Sequence, residues 1–144
     1  MNITEYIAMV TALIALCALI YQMYQNGRQM RLQNFMEYTL RYQNIMLELP
    51  ISIESNNFTL QSLNNQEKEN VLKYLRAYFD LCSEEYYLEK NALIDKYVWD
   101  LWEKGMKDSF RKPAFKEGWE IIQKDSYFSK SFEDFFIKLR DSKE

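Results

Sequence analysis

The chain has 144 residues, 48% of them hydrophobic and 27% charged, with a formal net charge of −3. That balance excludes a disordered chain, and the lack of a basic excess disfavours nucleic acid as a partner. There is no histidine and there are only three glycines, which removes the commonest general base, most zinc and di-iron sites, and any Gly-rich phosphate loop.

The first informative stretch is N-terminal. Tyr6 to Tyr24 carries no charged side chain, and Thr11 and Gln22 are its only polar residues besides tyrosines. As a helix it is about 28 Å long, close to the ~30 Å hydrocarbon thickness of a bilayer. Tyr6 stands at one end and Tyr21 and Tyr24 at the other, as interfacial tyrosines do. The competing reading is a buried core helix of a soluble protein. A cleaved signal peptide carries positive charge before its apolar stretch; here only Glu5 precedes it, and Leu16 before Cys17 does not suit a lipoprotein signal. The segment is therefore expected to stay as an anchor. Arg28 and Arg31 follow it, with no acidic residue between Tyr6 and Met36, so the positive-inside rule places Met1 outside and residues 28–144 in the cytoplasm. The two cysteines, Cys17 and Cys82, then fall in different surroundings, and a reducing compartment suits them.

Within the apolar stretch, Ala8, Thr11, Ala12, Ala15 and Ala18 project onto one face about 120° wide, although Leu19 intrudes. Small residues let helix backbones approach closely in lipid, so this face is expected to serve association or to line a pore. The simpler alternative is that alanine is common in membrane helices.

Residues 28–49 predict a further helix, a stalk continuing the first, with a bend at Gly27 a natural expectation and Pro50 as its end. Its apolar face, including Leu32, Phe35, Met36, Tyr42, Ile45, Met46 and Leu49, is too wide and irregular for a strict heptad. Residues 51–65, rich in Ser, Asn and Gln, predict a loop. Asn64 with Glu67 predicts an N-cap opening a helix over 66–90, closed by Asn91. Asp95 predicts the cap of a helix to about Phe110, Pro113 the start of one to about Lys124, and Ser131 with Asp134 the start of a last short helix. No stretch alternates as a strand does.

Four constellations stand out, each with a plainer reading. Asp80, Glu84, Glu85 and Glu89 share one helix and could hold a hard cation; the plainer reading is a solvated face with Arg76 pairing Asp80. The 23 aromatics (3 Trp, 11 Tyr, 9 Phe) include Tyr74, Tyr78, Tyr86, Tyr87 and Trp99, a candidate partner surface or ligand pocket; the plainer reading is a core of large rings. Lys104, Lys107, Arg111, Lys112 and Lys116 cluster around the turn before Pro113 and could touch anionic head groups or a phosphorylated ligand; the plainer reading is solubility charge diluted by Asp108 and Glu117. Cys82, without a histidine partner, reads as a small buried residue rather than a nucleophile. No catalytic residue, metal or cofactor is expected.

The run Tyr74-Leu-Arg-Ala-Tyr-Phe-Asp-Leu-Cys-Ser-Glu-Glu-Tyr-Tyr-Leu88, then Leu93-Ile-Asp95, Trp99-x-x-Trp102-x-x-Gly105, Arg111-Lys-Pro-Ala-Phe115 and Trp119 resembles small bacterial single-pass membrane proteins with an all-α cytosolic domain. The resemblance implies an all-α fold and a bacterial inner-membrane location. It brings no assigned activity and no functional residues.

Together these observations predict an all-α chain: a transmembrane anchor (1–27), a juxtamembrane helical stalk (28–50) and a helical cytosolic domain (51–144), with about five to six helices in all. The expected function is non-enzymatic: a membrane-anchored, self-associating scaffold or accessory protein whose cytosolic domain mediates assembly or binds a membrane-protein partner. The alternative is a ligand-gated oligomeric pore, serving ion flux or a defence response. An enzyme is the third class, and no convergent set of side chains supports it.

Overall fold

A computed structural model describes residues 2–142. It is all-helical, with no strand among the described residues: α1 (Ile3–Glu48), α2 (Asn65–Lys90), α3 (Lys96–Phe110), α4 (Pro113–Ile122) and α5 (Lys130–Asp141), plus two 3-10 turns at Ile51–Glu54 and Leu60–Ser62. The expected anchor and stalk are one helix of 46 residues, which runs through Gly27 without a break. Its start is a capping box: Glu5 N–H donates to the Asn2 side chain and Asn2 N–H to the Glu5 carboxylate, both at 2.9 Å. It ends where Leu49 turns extended before Pro50.

The caps follow local chemistry. Asn64 and Glu67 form the expected box at α2. Asp95 precedes α3 but makes no side-chain cap bond; its carboxylate instead pairs with Arg31 of α1 at 2.9 Å. Pro113 is the first residue of α4, where its missing N–H costs nothing. The α5 cap is Ser129, not Ser131: its hydroxyl accepts from Phe132 N–H at 3.3 Å, and the Ser131 hydroxyl merely faces it at 3.2 Å. After α2 the chain closes with a Schellman pair, Leu93 N–H to Leu88 C=O (2.9 Å) and Ala92 N–H to Glu89 C=O (3.0 Å). This forces Ala92 to φ 54°, a left-handed position that an L side chain resists.

α2 runs antiparallel along α1. Asn34 donates to Leu93 C=O at 2.9 Å, Tyr38 donates to Glu84 at 3.1 Å, and the Tyr42 ring meets Tyr78 at 6.3 Å, so rising numbers on one helix meet falling numbers on the other. Phe35, Tyr38, Ile45 and Met46 of α1, with Leu49 just past its end, pack on the domain core. The stalk is therefore one wall of the domain, and a boundary at residue 50 does not separate two cores. The middle of that core is aromatic. Phe79 has Phe110, Phe115, Trp119 and Phe136 edge-on or tilted around it at 5.2–6.5 Å, and Trp119 stacks on Phe136 at 4.0 Å. The segment 51–65, expected as a plain loop, also serves the core. Its polar side chains stay outside while Ile53 and Leu60 are buried, and Leu60 N–H donates to Glu117 of α4 at 3.0 Å.

Two substitutions test these constraints. Ala92→Gly removes the left-handed penalty and should stabilise the domain by about 0.5–1 kcal/mol, read as a higher urea midpoint with unchanged slope. Gly118 lies where a Cβ would stand 2.6 Å from Leu75 Cδ1, inside a closed core. Gly118→Val should lower stability by about 2–3 kcal/mol in the same titration.

Candidate functional site

α1 has two halves in different surroundings. No residue of α1 is buried, and its N-terminal part packs on nothing. One 18-residue window is apolar enough for the helix to cross a membrane by length and composition. Docking begins at Arg31. The strongest clamp is Arg41, which grips the Glu84 carboxylate with two nitrogens at 2.6 and 3.1 Å while its guanidinium lies 5.0 Å above the Tyr38 ring. The Arg41 bonds hold the Glu84 carboxyl below its ordinary range.

The stalk looked too wide for one seam because it carries two faces. One, with Phe35, Tyr38, Ile45 and Met46, meets the domain. The other, with Leu32, Met36, Leu40 and Leu47, is exposed. Ala8, Thr11, Ala12, Ala15 and Ala18 are all exposed too, and Thr11 turns its hydroxyl back to Ile7 C=O at 2.9 Å. Arg28 is exposed, whereas Arg31 is engaged with Asp95.

Where α1, α2 and α3 meet, a half-open cavity of about 320 Å³ remains. Phe35, Thr39 and Tyr42 come from α1, Tyr78 and Glu85 from α2, and Leu101, Trp102, Gly105 and Met106 from α3. Its walls are mainly apolar and aromatic, yet the polar residues Thr39 and Glu85 are among them. Glu85 is only 6% exposed, and burial pushes its carboxyl up to about 8, against a smaller opposing pull from Arg41. The Thr39 hydroxyl is buried and has no hydrogen-bond partner. A Cβ built at Gly105 meets nothing within 4 Å, so this glycine leaves the cavity mouth open. Tyr42 and Gly105 also border a polar recess of about 650 Å³ with Arg111, Lys112 and Lys116 opposite Glu54 and Asp108.

The expected site residues are thus rearranged. Tyr78 and Trp99 belong to the core at 3% and 7% exposure and cannot form a partner surface; their rings fill the space between helices. Tyr86 is half-buried and stacks on Phe135 at 4.7 Å, Tyr74 is half-buried, and Tyr87 is exposed. The basic cluster divides. Arg111 and Lys112 line the polar recess, with Lys112 donating to Asn56 at 3.2 Å, while Lys104 and Lys107 lie in a separate recess beside Asp100 and Glu103. The acidic row divides as well: Arg41 takes Glu84, Lys90 takes Glu89, and Glu85 turns inward. Among the described residues no three His, Cys, Asp or Glu side chains are grouped to hold a metal. Cys17 and Cys82 are unpaired, and burial raises the Cys82 thiol well above its ordinary value.

Reading Glu85 as part of a solvated face missed its position. It follows Tyr78 and Cys82 at steps of four and three, so it stands on the buried face of α2.

No family model, curated protein or solved structure matches the chain. The resemblance drawn from Tyr74 to Trp119 is thus supported only by the all-helical fold and the apolar N-terminal helix.

Glu85 makes stability depend on pH. Its folded carboxyl titrates above its unfolded value of 4.5, so the folded state holds the extra proton between there and about 8. Stability is fully present below pH 4.5 and is lost as pH rises through 8, with a slope of up to about 1.4 kcal/mol per pH unit from this group. Glu85→Gln should flatten that fall in urea titrations between pH 5 and 8.5; an unchanged profile excludes a buried proton on Glu85.

Proposed function

We propose that the chain is a membrane-anchored, non-enzymatic homo-oligomer, a scaffold or accessory protein of a membrane complex. In this reading α1 spans the bilayer with Met1 outside, Arg28 and Arg31 mark the cytoplasmic side of a bacterial inner membrane, and the helical domain stands in the cytoplasm. The observation that carries it is a seam on α1 away from the domain. Ala8, Thr11, Ala15, Ala18, Gln22, Gln25, Gln29, Leu32 and Met36 follow one another at alternating steps of three and four. That is the a/d spacing of a left-handed coiled coil. Its composition suits each environment: small residues within lipid, glutamines that fix register just past it, and Leu and Met in water. Every one of these residues is exposed except the half-exposed Gln25.

A second reading, a ligand-gated pore, is favoured by the cavity beside Glu85, because one wall of that cavity is α1 itself. A ligand there would bear directly on the helix that crosses the bilayer.

Light scattering of the full chain in mild detergent tests the assembly. It should give a mass of at least two subunits. The double substitution Leu32→Glu, Met36→Glu lies off the domain and should reduce the mass to one subunit with helicity unchanged. A monomer from the unsubstituted chain overturns the proposal. An oligomer of four or more that raises vesicle permeability, and loses that permeability on Thr11→Leu, puts the pore first.

A further inference from the structure

The cavity between α1, α2 and α3 has features that packing does not explain. Glu85 is only 6% exposed, and among the described residues no hydrogen bond or ion pair engages its carboxyl group. The nearest guanidinium, Arg41, is already spent on Glu84 through two bonds. Thr39, another residue of the cavity wall, has a buried hydroxyl with no hydrogen-bond partner. Folding normally satisfies such groups or replaces them with apolar ones, because an unpaired buried acceptor is costly. No basic side chain lines this cavity, although several line the recess next to it.

We propose that this cavity binds a compact organic cation, an aryl- or alkylammonium, with its ammonium on the Glu85 carboxylate and Thr39 hydroxyl and its apolar body against Phe35, Trp102 and Met106. A carboxylate and a hydroxyl supply acceptors for ammonium N–H groups. The rings of Phe35, Tyr42, Tyr78 and Trp102 line the cavity, and aromatic rings attract positive charge when desolvated. The volume, about 320 Å³, is at the small end for ligand pockets and suits a one-ring amine. An anion would find no basic side chain in the cavity to pair with, and a purely apolar guest would leave both polar groups unpaired. The open space at Gly105 gives the route in.

Binding also moves a proton. Arg41 of α1 favours the charged form of Glu85 and Glu84 on its own helix opposes it; Tyr42 of α1 and Tyr78 and Cys82 of α2 are the further titratable groups that interact with it, and α3 contributes no charged side chain to this cavity. Burial keeps the empty site protonated at pH 7, so an incoming ammonium displaces that proton to solvent as the carboxylate forms. The site stands independently of assembly, since binding can be read on a monomer or an oligomer alike.

The test uses the full chain in mild detergent at pH 7.5, titrated calorimetrically with 2-phenylethylammonium, with its neutral analogue 2-phenylethanol, and with phenylacetate. The ammonium should bind at least tenfold more tightly than the alcohol, phenylacetate should not bind, and titrations in buffers of different ionisation enthalpy should show release of about three-quarters of a proton. Glu85→Gln keeps the shape of the protonated carboxyl; it should abolish both the tenfold preference and the proton release while alcohol binding remains. Gly105→Leu, which enters open space, should remove binding of ammonium and alcohol together even if the Gln variant fails to fold. Equal affinity for ammonium and alcohol, a preference for phenylacetate, or no binding of the ammonium overturns the proposal. So does ammonium binding that survives Gly105→Leu unchanged.

Discussion

The whole molecule depends on one helix being continuous from an unpacked apolar half into a half docked on the domain. From Ile3 to Glu48, α1 satisfies its own backbone, which is the condition for an apolar segment to enter lipid and equally for a wall of a helical domain. A break at Gly27 would have uncoupled the two; instead the same hydrogen-bond ladder carries on to Leu49. The docked half is held by the apolar row from Phe35 to Leu49 and oriented by Arg41 on Glu84 and Asn34 on Leu93. The ion pair is half-exposed, so it sets geometry more than it adds stability. Burial of Ile45, Met46 and Leu49 against α2 and its neighbours supplies the larger part.

The helices themselves were legible because their signals are local. A capping residue three positions before its acidic partner, a proline at the first turn, and apolar residues at steps of three and four need no tertiary information, and they placed α2, α3 and α4 within two residues at either end. Ser131 with Asp134 pointed to the start of the last helix, whereas Ser129 is its cap; both are serines near the same turn, and only backbone geometry distinguishes them. The loop 51–65 was legible as polar but not as structural, since Ile53 and Leu60 are isolated apolar residues without periodicity.

The site was much less legible, for a related reason. Periodicity says that a side chain faces inward, but not what it faces. Tyr78 and Trp99 look the same in sequence as the exposed Tyr87, and burial alone separates them. Glu85 was grouped with Asp80, Glu84 and Glu89 because charge normally outweighs register as a guide to exposure, and here it does not. The lysines before Pro113 are neighbours in sequence but line two different recesses, because α3 turns successive residues to different sides. The broad apolar face of the stalk could be divided only once the domain was seen to cover one side of it.

The rigid attachment of the domain to α1 also has a mechanical consequence. The domain has no hinge at the helix, so its orientation is fixed to that of the apolar segment, and rotation of one about the helix axis is rotation of the other. Tyr24 is the last residue of the apolar stretch, and Leu49 lies about 38 Å further along the axis. A tilt of about 10° at the bilayer would carry the far end of the domain sideways by about 7 Å, given a straight rod of that length. In the proposed membrane-spanning arrangement the helix is thus a lever, and small changes of tilt or thickness in the lipid would be magnified at the end farthest from it.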